Sequence, residues 1–393
     1  MKTLNCHYEM FNPNIVRAEN CHIIDERGKK YVDFEAGVWC ASLGHNNKRV
    51  NEAIVKQLNS VSHVGYRYTS KIVDEAADKI LTLLDFQGGK CVFLSSGSEA
   101  VEFGVKVTKK LTDKPYFLRL SNYYLSAYGE SAAADSDKNG WISLDLSTYC
   151  GILDAFLKNV PFDKIGAFVF EPGNASGTAK LPPKELIRAI SERLKEHGAL
   201  IVVDEVTTGI GRAGKWFGFE HYDMQPDIVS LGKGIGNGYP VSVICMSKKV
   251  ASSVKQTDFR YAQSHQDDPL GCAVVKEVLS VIEENDYVRR AADIGIVLER
   301  ELKSLADKHE CIKEVRGVGL MYAMEFFSDD SFSLKEIHRE LFDAGYIVGH
   351  HAKANALRFY PPLTIEEAQI KCMISALDSI LSMDKKDKDS TKN

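Results

Sequence analysis

From about residue 90 onward, short apolar β-rich runs alternate with helical stretches, and no other feature of the sequence limits the fold so tightly. The runs are CVFL (91–94), YFLRL (116–120), IGAFVF (165–170), ALIVV (199–203) and IVSL (228–231). Between them, the spacing of apolar residues predicts helices near 98–110, 149–159 and 183–196. Strands that are apolar along their whole length and separated by helices form an α/β sheet covered on both faces, mainly parallel. The run at 242–246 is a further strand candidate, and its short separation from IVSL leaves room for an antiparallel pairing. HIIDERGKKYVDF reads as two strands about a turn at Glu26–Gly28, and 48–60 and 71–85 have helical spacing. After about 275 the pattern becomes helical, with a hairpin-like section in RGVGLMYAMEFF (316–327). The expected division is an N-terminal segment (1–60) joining a small domain, a large domain (61–275), the rest of the small domain (276–383), and a charged tail (384–393) expected to fray.

Composition narrows the class. A chain of 393 residues, 44% hydrophobic and 26% charged, can bury a large core. A net charge of -5 leaves no basic footprint for nucleic acid. No apolar run approaches the length of a membrane span, and MKTLNCHYEMFNPN has no secretory apolar core. The nine cysteines are scattered, without CxxC or metal-ligand spacing. That usage suits a reduced cytoplasmic compartment, and no metal is expected.

The chemically suggestive residues stand where strands end, which is where open α/β sheets bind ligands. LSSGSEA (94–100) runs from a strand into a helix start, so Gly97 and Ser98 are placed to cradle a phosphate; a plain helix cap gives the same pattern. Asp204 comes directly off ALIVV, and a carboxylate there needs a partner, either a protonated ring nitrogen or Arg212. Lys233 ends IVSL inside the Gly-rich turn SLGKGIGNGYP (230–240). An aldehyde cofactor needs one such amine. Tyr123 and Tyr124, after YFLRL, offer aromatic faces for stacking or for ordinary packing.

The run DEVTTGIGRAGKWFGFEHYDMQPDIVSLGKGIGNGYP (204–240) resembles the class III aminotransferases, pyridoxal-phosphate enzymes of fold type I. DFEAGVWCASLGHNNKRV (33–50), SGSEAVEFGVK (96–106), DDPLGCA (267–273), RGVGLM (316–321) and LRFYPPLT (357–364) match that family in order. The resemblance implies a large domain with a mainly parallel mixed sheet flanked by helices, and a smaller α+β domain from the two chain ends. It implies that Lys233 carries pyridoxal phosphate as a Schiff base and that Asp204 contacts the pyridine nitrogen. Gly97 and Ser98 would hold the phosphate and Tyr123 would stack on the ring. Ser264 would reach the phosphate of the neighbouring subunit, implying a homodimer with shared sites. Arg358 would grip a substrate carboxylate, and Trp39, Tyr66, Tyr68 and Tyr360 are candidate pocket walls.

Departures from the family pattern bear on the substrate. Thr207 stands where a glutamine usually contacts the ring hydroxyl. Ser126 replaces an arginine, and Ser176 replaces a glutamate that masks the other arginine in ornithine-type enzymes. Val101 and Gln266-Asp267-Asp268 also depart from the usual residues. The expected activity is transfer of an amino group from an amine or amino acid to a 2-oxo acid, with a pair other than the ornithine type. The alternative is a racemase, epimerase or aminomutase using the same lysine. A non-enzymatic scaffold has no use for Lys233, Asp204 and Ser98 together.

Overall fold

The computed structural model describes residues 14–132, 140–174, 177–328 and 333–390. Strands β1 (Ile15–Glu19), β2 (His22–Asp25) and β3 (Lys30–Asp33) form an antiparallel meander. Its turn closes because the Asp25 carboxylate accepts the Arg27 and Lys29 N–H groups at 3.0 and 2.8 Å, as turn aspartates do.

The alternating runs become β4 (Lys90–Leu94), β5 (Tyr116–Leu120), β6 (Trp141–Leu144), β7 (Ile165–Phe170), β8 (Leu200–Asp204), β9 (Ile228–Leu231) and β10 (Ser242–Met246). They make one seven-stranded sheet in the order β4-β10-β9-β8-β7-β5-β6. From β9 through β6 every pairing is parallel, whereas β10 is antiparallel to both β9 and β4. Successive residues of a strand face opposite sides. Ile201 and Val203 accordingly join one apolar cluster and Leu200 and Val202 another. Each such fully buried side chain contributes roughly 1.5–3 kcal/mol. The helix Gly97–Leu111 packs on the second face, where Val101 is fully buried.

Two differences from the sequence reading are local. The strand β6 was not anticipated, because its four residues offer little periodicity. The helix expected near 149–159 is only Leu153–Leu157.

The chain ends build the two remaining sheets. Strands β11 (Ile312–Val318) and β12 (Met321–Phe326) form the expected hairpin, followed by β13 (Tyr346–Ile347), β14 (Gly349–His351) and β15 (Ala356–Phe359). β13 pairs with β3, tying C-terminal chain to the N-terminal meander, and β11-β12-β15-β14 form the other sheet. The last helix, Glu367–Ser390, continues past Asp384 into the stretch expected to fray. Among the described residues, no helix is long and apolar enough to cross a membrane.

Candidate active site

Parallel neighbours β8 and β9 leave the sheet together, with Asp204 opposite Ser230. Lys233 follows β9 by two residues with φ +44°, a left-handed conformation that is uncommon outside glycine. Its Nζ donates to Thr207 Oγ1 at 2.7 Å and lies 5.0 Å from the centre of the Trp39 ring. Asp204 is buried, and its Oδ1 accepts the Val206 N–H at 2.9 Å. Loss of solvent pushes this carboxyl up to about 7, against the pull of the Val206 N–H and the charge of Lys233. Arg212, the other partner considered for Asp204, instead donates to the Leu320 carbonyl at 3.0 Å and to the Pro361 carbonyl.

The adjacent Glu205 serves the backbone. It accepts the Gly218 and Phe219 N–H groups at 2.9 and 2.7 Å and the Thr208 hydroxyl at 2.7 Å. Burial pushes its carboxyl up to about 8. These bonds fix the loop that carries Thr207.

After β4, Ser96 caps the helix Gly97–Leu111, and Glu99 reaches back to the Ser95 and Ser96 N–H groups at 2.9 and 3.0 Å. This capping box leaves the next N–H groups at the positive end of the helix dipole. A Cβ at Gly97 would meet Val206 Cγ1 at 2.6 Å, so glycine is what lets this helix start close on the β8 loop. Ser98 Oγ accepts the Ala127 N–H at 2.9 Å. Tyr123 is buried after β5, and its hydroxyl donates to the Lys180 carbonyl at 3.1 Å.

The opposite wall comes from the chain ends. Arg358, on β15, places its guanidinium 5.1 Å from the centre of the Trp39 ring, and the Trp39 and Tyr360 rings lie 5.4 Å apart. Lys233 and Arg358 thus approach one indole and are no more than about 10 Å apart. The turn bearing Trp39 is left-handed throughout, with φ of +47°, +58°, +58° and +69° at Ala36, Gly37, Val38 and Trp39. For β-branched Val38 such a backbone is strained, and strain of this kind gathers at functional sites. The turn is held by Asp33, whose carboxylate accepts from Glu35 N and Gly37 N at 2.8 Å each and pairs with His45 Nε2 at 2.8 Å.

The structure therefore brings together Lys233, Thr207, Asp204, Trp39, Tyr360 and Arg358, with Gly97 against the same loop. Tyr66 and Tyr68 are exposed on a loop, as is Ser264 on another. Ser176 lies outside the described residues. The sequence reading passed over Glu35, whose Oε1 lies 3.7 Å from Arg358 Nη2. Its signal was an acidic residue set between Phe34 and Ala36, both buried, in the segment DFEAGVW. Taken together, the site offers an amine beside a hydroxyl, a buried carboxylate and a helix N-terminus on one side, and an arginine walled by aromatic rings on the other.

The sequence model of the family Aminotransferase class-III matches residues 4–138 and 148–381. The chain is 29% identical to an acetylornithine aminotransferase of Bacillus subtilis, over 97% of this chain and 98% of that protein. It is 27% identical to a leucine/methionine racemase of Thermococcus litoralis, over 90% and 86%. The crystal structure of acetylornithine aminotransferase from Elizabethkingia anophelis superposes with a TM-score of 0.83 at 27% identity, covering 96% of this chain and 95% of that one. The chain belongs to the class-III aminotransferase family, whose enzymes work with pyridoxal 5′-phosphate.

Proposed function

We propose that this protein moves an amino group from an amine or amino acid to a 2-oxo acid, with a substrate pair other than the ornithine type. The observation that carries the proposal is Lys233 Nζ, held by the Thr207 hydroxyl, with its charge acting on the buried Asp204 at the neighbouring strand end. These residues suit pyridoxal phosphate. A carboxylate that burial holds near neutrality is matched by a protonated ring nitrogen, and the capped helix start at Gly97 and Ser98 suits a phosphate. When bound, the cofactor supplies an electron sink for the carbon that carries the nitrogen.

The chain's own residues do the rest. Lys233 Nζ would hold the cofactor and, once displaced by the donor amine, would take the proton from the amine-bearing carbon; in the second half-reaction it would deliver a proton to the former carbonyl carbon of the 2-oxo acid. Thr207 holds Nζ in place for that transfer. Asp204 would pair with the ring nitrogen and Tyr123 would pack against the ring. Arg358 would take a substrate carboxylate in a planar two-bond grip. Trp39 and Tyr360 wall the space between Lys233 and Arg358, with Tyr66 contributing from its loop. Ser264, exposed in the single chain, is proposed to reach the phosphate in the partner subunit, so the working unit is a homodimer. The free cysteines among the described residues support a cytoplasmic setting.

The likeness to a racemase supports one rival, in which the same Lys233 returns the proton to the opposite face of the same carbon. The deciding experiment mixes the loaded protein with a panel of amines and amino acids, without acceptor, in deuterated water. Accumulation of the pyridoxamine form is the expected result. Deuterium incorporation with inversion and no such accumulation would replace transamination by racemisation. Lys233→Ala is expected to lose either activity by at least about 10²-fold, and full activity in that variant would remove Lys233 from the chemistry.

A further inference from the structure

We infer that Glu35 is a specificity-determining residue that competes with the substrate carboxylate for Arg358. The inference rests on the reading of Arg358 given above and extends it to a residue that the sequence did not single out.

Glu35 begins the left-handed turn that carries Trp39. Its side chain is 19% exposed, and Oε1 is buried without a hydrogen-bond partner among the described residues. The separation of 3.7 Å from Arg358 Nη2 is within ion-pair range but longer than a hydrogen bond. Burial raises the Glu35 carboxyl, the charge of Arg358 lowers it, and the negative charge of Asp33 raises it further. A carboxylate in that position is tolerated because the guanidinium is beside it.

The neighbouring backbone leaves room for this arrangement. Gly349 pairs with Arg358 across β14 and β15. A Cβ at Gly349 would collide with Glu35 Oε1 and stand 3.0 Å from Arg358 Nε. The space that Glu35 occupies is thus a gap kept by a glycine, opening onto the arginine. Trp39 Nε1, buried in the same turn, is close enough to the Glu35 carboxyl to lower it as a donor, although the contact falls outside good hydrogen-bond geometry.

Two states follow. With a donor that lacks a carboxylate, Glu35 neutralises Arg358 and the indole wall stays closed over an apolar tail. A carboxylated substrate must displace Glu35 to form its bonds to the guanidinium, and the loose 3.7 Å pair is one that a bidentate partner can outcompete. Glu35 thereby sets how strongly the site discriminates between carboxylated and carboxylate-free partners.

The test measures binding of butanoate, a monocarboxylate without an amine, to the cofactor-loaded protein by titration calorimetry, alongside the rate of the half-reaction with benzylamine. Glu35→Gln and Glu35→Ala are each expected to tighten butanoate by about fivefold or more and to slow the benzylamine half-reaction by about twofold or more, because the guanidinium is left without its counter-charge beside a carboxylate-free donor. Arg358→Ala is expected to abolish butanoate binding. Unchanged butanoate affinity in both Glu35 variants, with binding lost in Arg358→Ala, would overturn the role of Glu35 and leave that of Arg358 standing. Weaker butanoate binding together with a slower benzylamine half-reaction would show a purely structural effect and overturn it too. Butanoate binding that survives Arg358→Ala would instead overturn the carboxylate-holding role of Arg358 itself.

Discussion

The two walls of the site are built differently. On one side, Asp204, Thr207 and Lys233 hang from the ends of β8 and β9, parallel strands buried on both faces. On the other, Glu35 and Trp39 sit on a left-handed turn, and Arg358 comes from a short strand far along the chain. The first wall has its geometry imposed by the core of the large sheet. The second is set by a few local bonds from Asp33 and by the pairing of β14 with β15. The contrast teaches that Asp204, Thr207 and Lys233 rest on one mechanical support and Glu35, Trp39 and Arg358 on another, so one wall can change while the other is kept.

The most damaging change should therefore fall on the first wall. Asp204→Asn keeps the shape but removes the charge, and amino-group transfer is expected to drop by about 10²-fold or more. The same variant gives a stability test. The folded Asp204 carboxyl is pushed up to about 7 from an ordinary value of 3.8. Between those values the folded state holds more protons than the unfolded one, so its contribution to stability is present below about 4 and is lost as pH rises to about 7. Denaturant unfolding of the cofactor-free protein should show this decline, at most about 1.4 kcal/mol per pH unit from this one group, and Asp204→Asn should show a shallower one, the remainder coming from Glu205, which burial also pushes up, to about 8. An identical pH profile in the two proteins would show that Asp204 is not the strained group.

Intermediate effects belong to the second wall. Arg358→Lys keeps the charge and loses the planar fork, so KM for the 2-oxo acid should rise by about tenfold, with a much smaller change in kcat. A fall in kcat without a change in KM would move Arg358 into the chemistry and blur the division between the walls. The smallest effect returns to the first wall. Thr207→Val removes the hydroxyl that accepts from Lys233 Nζ. The loss of one hydrogen bond, about 1 kcal/mol, predicts about a fivefold lower rate of proton transfer in single-turnover measurements.

The same division explains what could be read from the sequence. Strands buried on both faces must be apolar throughout, so ALIVV and IVSL announced themselves, and Asp204 and Lys233 stood out as ionisable residues at their ends. The antiparallel β10 was legible from the short connection before it. Glu35 and Arg358 are 323 positions apart, and their meeting depends on a backbone turn of uncommon hand and on the register of β14 against β15. Neither leaves a periodic trace. Trp39 is a candidate pocket wall only through the family resemblance of its segment, and its place against both Lys233 and Arg358 needs the fold. β6 escaped because four residues are too few to show alternation.

Asp33 gives the second wall a single point of control. Its carboxylate pins Glu35 and Gly37 through their N–H groups and engages His45, yet it is the turn beyond it that faces the reacting groups. Altering the grip of this one adjacent anchor would swing indole and carboxylate as a unit while the ends of β8 and β9 stay where the large sheet puts them.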